Sequence, residues 1–427
     1  MKKLRLHTAV AIVVANMVGT GVFTSLGFQV VSIHSVFTLL MLWFVGGVIA
    51  LCGAFSYGEL AASMPRSGGE YHFLSEIYHP AIGFLSGWVS ASVGFAAPTA
   101  LAAMAFGKYL KTVFPHIPEV HFAAGAVILI TLVHAKSVYW GSRFHNLFTL
   151  VKILLVIVFI LSAFFVQSPQ PISIIPEEDS FMLMTSPSFA VSLIYVSYAY
   201  TGWNAAVYVT SEIEEPQKNL PKALFIGTLI VLVMYVLLNF VFLYTVDMNV
   251  IKGQIEVGFF SAKQIFGTQG ADIMSITIAL LLISTMSAMI FVGPRITKRM
   301  GEDFKGLSIF ARTNAEDIPI FSMLFQTCLT LLFIYTSSFN QVLTYASFAL
   351  ISVTSLTVLG VFILRIRKPH LPRPYKVWGY PITPMIFLLL NIWTLVFVFE
   401  NSPKESSIGI GIMLLGLFFY FLSIKKK

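Results

Sequence analysis

Charge is what this chain has least of. Aspartate, glutamate, lysine and arginine make up 11% of its 427 residues, against roughly 25% in an average soluble domain, too few to coat a water-soluble globule of this length. Cysteine is almost as scarce. Cys52 and Cys328 both fall inside apolar runs, which leaves no disulfide framework and no paired metal-ligand spacing, so both are expected to pack. The nine histidines form no His-Glu-x-x-His pattern, and no metal or other cofactor is expected. Gly-x-Gly-Asp and Ser/Lys constellations suited to intramembrane hydrolysis are missing too, so an enzyme is not expected. The formal net charge of +8 is spread through short loops, a topology signal rather than a nucleic-acid footprint.

Apolar residues are what the chain does have, at 57%. They recur in runs long enough to cross a hydrocarbon core of roughly 30 Å. Bounded by Gly, Pro and charged clusters, twelve such runs lie near residues 6–31, 36–63, 80–110, 119–137, 143–166, 187–213, 221–247, 270–297, 318–338, 340–365, 380–399 and 406–424. The chain is expected to be an all-α protein with the lipid bilayer as its solvent, in the plasma or bacterial inner membrane. Residues 1–5 imitate the start of a secretory signal, but no small-residue cleavage site follows, so the first run is expected to stay as a helix. With both termini placed in the cytoplasm, 21 of the 27 Lys and Arg residues fall inside. Lys108, Lys111, Lys252, Lys263 and Lys404 fall outside, and Lys152 is left within a span, the bias expected of cytoplasmic loops.

Two spans carry a break at similar depth. Span one reads AIVVANMVGTGVFTSLGF (11–28) with Gly19 and Gly21 at its middle, and span six reads YVSYAYTGWNAAVYV (195–209) with Thr201 and Gly202 there. Glycine weakens a helix by about 1 kcal/mol relative to alanine, and glycine is also a close-packing residue in membrane helices. Matched interruptions in two halves nevertheless point to a transporter site at the interface of inverted repeats. Amides freed at Gly19 to Phe23 suit a carboxylate, and carbonyls freed around Asn16 and Tyr198 to Thr201 suit an ammonium group. A zwitterion fits that pair of poles.

The stretches VGTGVF (18–23), PRSGGEY (65–71), YAYTGWNAAVYVTSEIEEPQKNLPKAL (198–224) and RKPHLPRPYKVWGYP (367–381) resemble, in order and over nearly the whole chain, the amino acid-polyamine-organocation superfamily, most closely its L-type amino acid transporter branch. The resemblance implies a LeuT-like fold of twelve transmembrane helices, with inverted repeats over residues 1–166 and 187–366 and two further helices over 380–427. It implies a carboxylate site at Gly19, Thr20 and Gly21, an aromatic gate at Tyr198, and a substrate-site role for Asn204. Lys152 matches a span-five lysine that stands in sodium-independent members where related carriers hold sodium. Its ammonium is expected to bond span-one carbonyls near Val18 and Gly19, so that transport is sodium-independent. Exchange is the simpler mode if that charge is permanent, and proton-linked uptake if it is not.

The family often shows an Ala-Arg-Asp-Gly-like run after span eight, where this chain has KRMGEDFKG (298–306). Vertebrate members use a cysteine between spans three and four to bind a glycoprotein heavy chain. Residues 111–118 contain none, so a disulfide-linked heavy chain is not expected. With no acidic residue in the middle of spans three, six, eight or ten, the substrate is expected to be a neutral amino acid. A sensor that binds without transporting, and a carrier of amines or polyamines, are the competing readings. Of the remaining residues, Trp203 is expected to pack more than to face substrate. Glu59, Glu212, Glu214 and Glu215 are read as interface or gate residues, and His134 as a structural hydrogen-bonding residue.

Overall fold

The computed structural model describes the backbone of residues 3–136 and 139–424, and the side chains of 3–136 and 151–423. Lys2, Lys425 to Lys427 and the side chain of Arg143, all assigned above to the cytoplasmic side, lie outside the described residues. The described chain is helical, with one isolated bridge in which Leu4 pairs with Ile213. Nine of its helices are long and apolar enough to cross a membrane.

Span one is three pieces, α1 (Leu6–Met17), α2 (Thr20–Thr24) and α3 (Leu26–Gln29). α4 (Val36–Ser63) starts where the Ser35 hydroxyl accepts the Thr38 N–H, an N-cap. Next comes α5 (Gly69–Ile77), a nine-residue helix in a stretch read from the sequence as loop. α6 (Pro80–Val89) continues through a π-helical turn at Ser90–Gly94 into α7 (Ala96–Val113). Pro98 has no N–H to give back to the carbonyl of Gly94, which explains why the ladder slips there.

α8 (Glu119–Lys136) and α9 (Tyr139–Ser162) follow, then the short α10 (Ser180–Met184). α11 (Pro187–Tyr200) stops at Thr201, and a 3-10 segment, Ala205–Glu212, resumes after the break. α12 (Pro216–Thr245), the one-turn α13 (Met248–Ile251) and α14 (Val257–Asp303) come next. α14 bends at Gly267, whose φ of +73° is a left-handed value that favours glycine. α15 (Ile320–Thr336), α16 (Phe339–Arg367), α17 (Ile382–Asn401) and α18 (Pro403–Ile424) complete the order.

In packing, α1, α4, α11 and α12 form one group and α7, α8, α14 and α15 another, with α16 touching both. The outer faces of α8, α15, α17 and α18 expose Leu129, Leu332, Leu389 and Phe418, as lipid-facing helices should. Cys328 belongs to that exposed surface, unlike the buried Cys52, so only one of the two cysteines packs inside.

At one end of the bundle Glu59, nearly fully buried, accepts bonds from Arg365 Nε (2.8 Å) and Nη2 (2.5 Å) and from the backbone N–H of Val377 (2.7 Å). Arg373 Nε lies 3.5 Å away. The basic loop after α16 is thereby tied to the end of α4, an interface role of the kind expected for Glu59. Removing one partner of such a buried pair typically costs about 3–5 kcal/mol.

Candidate functional site

α1 ends because Val18 and Gly19 leave helical space, with φ/ψ of −71°/93° and −141°/−146°. α11 ends at Thr201 (ψ 138°), followed by Gly202 at φ +105°. The two ends abut. A Cβ on Gly21 would stand 2.4 Å from Ala199 Cα, and one on Gly202 would stand 2.7 Å from the Asn16 carbonyl oxygen. Each glycine therefore permits an approach of backbone to backbone between the two broken segments, and Gly202 also adopts a conformation that other residues rarely take.

Such breaks free backbone groups that a helix would pair. Tyr235 of α12 bridges the pair: its one hydroxyl proton is shared between the carbonyls of Met17 (2.5 Å) and Ala199 (3.2 Å). Sequence reading missed this residue. Its one signal is that Tyr235 and Asn239 are polar at i and i+4 in an apolar run, which puts them on one helix face.

Over the breaks lies a cavity of about 1270 Å³, and Asn16, Gly19, Thr20, Gly21, Tyr198, Thr201, Gly202 and Asn204 all line it. Thr20 is buried beside the Tyr198 hydroxyl, and its own hydroxyl meets no partner at good hydrogen-bond geometry among the described residues, which marks a place where a ligand can satisfy it. The Asn16 amide instead donates to its own helix at Ile12 (2.8 Å), leaving its backbone as the part that meets Gly202. Trp203 does both jobs weighed for it: it packs on Tyr57 at a ring separation of 4.7 Å and is among the residues that line the cavity.

The cavity opens at the end where the basic loops gather, past Arg66, Glu76, Glu212, Arg299 and Asp303. There Tyr71 donates to Asp303 (2.8 Å), and Arg299 pairs with Glu302 (3.0 Å). Lys298 pairs with Asp317 at 2.8 Å, and the hydrogen bond from its ammonium holds that exposed carboxyl below the usual range. The opposite end is shut. Phe28 stacks between Tyr195 (5.5 Å) and Phe339 (5.7 Å), Tyr195 donates to Asn340 (2.6 Å), and the Gly253 N–H bonds the Gly27 carbonyl (2.7 Å).

Lys152 is buried but does not line the cavity. Its ammonium donates to Thr285 Oγ1 at 2.7 Å, and Thr285 does line it. The bond expected to the carbonyls of Val18 or Gly19 is not among the hydrogen bonds of the described residues. The ammonium bonds Thr285, and the Tyr235 hydroxyl serves the end of α1. His134 has the structural role expected of it, sharing a hydrogen bond with Ser287 Oγ (2.7 Å). Among the described residues no group of His, Cys, Asp and Glu is placed to hold a metal ion.

A family model described as amino acid permease matches residues 4–422. The large neutral amino acids transporter small subunit 2 of Mus musculus is 30% identical over 433 residues, covering 99% of this chain and 81% of that protein. The Homo sapiens protein of the same name is also 30% identical, covering 99% and 80%. The b(0,+)-type amino acid transporter 1 of Mus musculus is 27% identical over 440 residues, covering 100% and 88%.

Proposed function

Because this chain belongs to the amino acid permease family, and is thus a multi-pass, LeuT-like transporter of amino acids rather than an enzyme, we propose that it carries neutral L-amino acids across the cell membrane by alternating access. The observation that carries this reading is the abutting pair of breaks beneath one cavity that is open at one end and shut at the other. A carrier needs such a site near mid-membrane, closed to one side at a time.

In this reading the amides of Thr20 to Val22 and the Thr20 hydroxyl take the substrate carboxylate. Carbonyls at the ends of α1 and α11 take its ammonium group, with Thr201 and Asn204 beside them. The open end is the cytoplasmic one, and both termini lie there. Residues 1–166 and 187–366 form the inverted repeats and 380–427 the two added helices. Twelve crossings then require α9, α15 and the broken segment 187–212 to span as well.

A neutral side chain is favoured because Glu70, the buried acidic residue among the described lining residues, is engaged, while Glu76 and Glu212 stand exposed at the mouth. Asp303 holds Tyr71, and Glu70 accepts three hydrogen bonds. The name of the mouse and human relatives, a small subunit, leaves open a larger partner for this chain. We infer that no disulfide would join it, since residues 111–118 lack cysteine, Cys52 is buried, and the exposed Cys328 sits midway along the lipid-facing α15, away from the ends where a partner's cysteine could reach it.

The test is a thermal-shift screen of purified protein against the proteinogenic amino acids and common amines. A ligand at 100 times its Kd stabilises the native state by about 2.7 kcal/mol. Neutral amino acids should raise the melting temperature while amines without a carboxylate should not; stabilisation by amines alone would sink the reading. Counterflow of the labelled ligand then separates a carrier from a sensor.

Tyr198, buried with one edge to the cavity, is read as the gate. Tyr198→Ala should raise the transport constant about tenfold, since an aromatic contact contributes roughly 0.5–1.5 kcal/mol beyond its area. A transport constant and rate equal to wild type would place Tyr198 outside the gate.

A further inference from the structure

In the PRSGGEY stretch, Arg66 and Tyr71 stand at the cavity mouth, and the residues between them fold against the site itself. Gly68 (φ +130°) and Gly69 (φ +55°) are consecutive residues in positive-φ space, and they turn the chain so that Glu70, at the start of α5, faces inward. A Cβ on Gly69 would stand 2.5 Å from the Tyr208 ring, so only glycine lets α5 approach the 3-10 segment this closely.

Glu70 is buried and lines the cavity. Its Oε1 accepts from the Tyr57 hydroxyl (2.9 Å) and from Asn204 Nδ2 (2.5 Å), and its Oε2 accepts from the Tyr208 hydroxyl. No ion pair involves Glu70 among the described residues, so its partners there are neutral donors. Glu59, by contrast, is held by arginines.

We infer that Glu70 is a positioning residue of the transport site: by accepting the Asn204 Nδ2 hydrogen it fixes the amide so that Asn204 Oδ1 faces the cavity as an acceptor for the substrate ammonium. A carboxylate only accepts, so it selects the nitrogen end of the amide and turns the oxygen away. Hydrogen bonds to an ionised acceptor are about twice as strong as neutral ones. The chain from Glu70 through the amide also polarises Oδ1 toward a cation, by the cooperativity expected at low dielectric. The sequence reading that no acidic residue stands within the side-chain pocket's spans is unaffected. Glu70 enters from the helix between spans two and three, and three neutral donors already occupy its carboxylate.

This inference rests on Asn204 belonging to the substrate site, and the test separates the two ideas. In liposomes, the transport constant and maximal rate of exchange for a neutral amino acid are measured for Asn204→Ala, Glu70→Gln, Glu70→Asp and the double variant Glu70→Gln/Asn204→Ala. Asn204→Ala and Glu70→Gln should each raise the transport constant about tenfold, the equivalent of one charge-assisted hydrogen bond, with a much smaller change in maximal rate. The double variant should be no worse than Asn204→Ala alone, because Glu70 acts through the amide. Glu70→Asp, which keeps the charge on a shorter arm, should fall between wild type and Glu70→Gln.

A wild-type transport constant for Asn204→Ala would remove Asn204 from the site, and this inference with it. A defect in Asn204→Ala alone, or single-variant effects that multiply in the double, would overturn the role of Glu70 while leaving the site intact. If Glu70→Gln is not recovered as monodisperse protein, Glu70→Asp decides, and an unchanged transport constant for it overturns the inference.

Discussion

Gly21→Ala should reduce amino acid flux in liposomes by about 100-fold or more. A methyl group at residue 21 would stand 2.4 Å from Ala199 Cα, 2.7 Å from its Cβ and 3.1 Å from its backbone nitrogen, distances that no rotamer change relieves. The backbones of α2 and α11 must separate. Overpacking of this kind typically costs about 1–3 kcal/mol, which lowers the yield and melting temperature of the variant without preventing insertion. The larger effect is on function, because the amides of Thr20 to Val22 move with the helix. A displacement of about 1 Å at a reacting or binding site can cost on the order of 100-fold.

Gly202→Ala should behave alike, since its Cβ would meet the Asn16 carbonyl at 2.7 Å in a strained backbone conformation. Gly125, with nothing within 4 Å of its would-be Cβ, is the control, and Gly125→Ala should match wild type. Wild-type flux in a Gly21→Ala protein reconstituted at equal amount would show that transport does not depend on the contact between the two breaks.

Lys152→Ala should lose flux on a comparable scale. Its buried ammonium can donate three hydrogen bonds, and the side-chain bond recorded for it goes to Thr285 Oγ1. A charged side chain deep in a membrane helix costs at least about 2.5 kcal/mol on insertion scales, so its retention is expected to serve a function. Through Thr285, which lines the cavity, the charge reaches span eight and the rim of the site. Truncation leaves the Thr285 hydroxyl without its donor and a void where the lysine stem ran. The measurement is initial exchange rate at saturating substrate, with thermal stability recorded in parallel. A full exchange rate in Lys152→Ala would remove the lysine from the transport cycle.

Composition and local pattern carried much of this architecture. The apolar runs made the lipid environment legible, and Val18-Gly19-Thr20-Gly21 and Thr201-Gly202 marked the breaks because glycine and proline act on the chain locally. These breaks and the residues beside them located eight of the residues that line the cavity. What stayed hidden depends on contacts between distant segments. Tyr235 reads as one more aromatic residue in an apolar helix until the ends of α1 and α11 are brought to its hydroxyl. Glu70 reads as a loop carboxyl, because nothing local says that two left-handed glycines aim it at Asn204. The bond from Lys152 to Thr285 stayed hidden for the same reason: sequence shows a buried cation in span five, whereas that neighbour is set by how α9 packs on α14.

Counterflow of a labelled neutral amino acid into liposomes loaded with the same amino acid, with choline replacing sodium on both sides, tests the transport reading most directly. Wild-type protein should accumulate label transiently without any sodium, and Gly21→Ala liposomes should not. Repeating the assay under an imposed pH gradient separates exchange, which should be indifferent to the gradient, from proton-linked uptake, which should follow it. Absence of counterflow for every amino acid that stabilises the protein, or a strict requirement for sodium, would contradict a sodium-independent carrier built on the paired breaks of spans one and six.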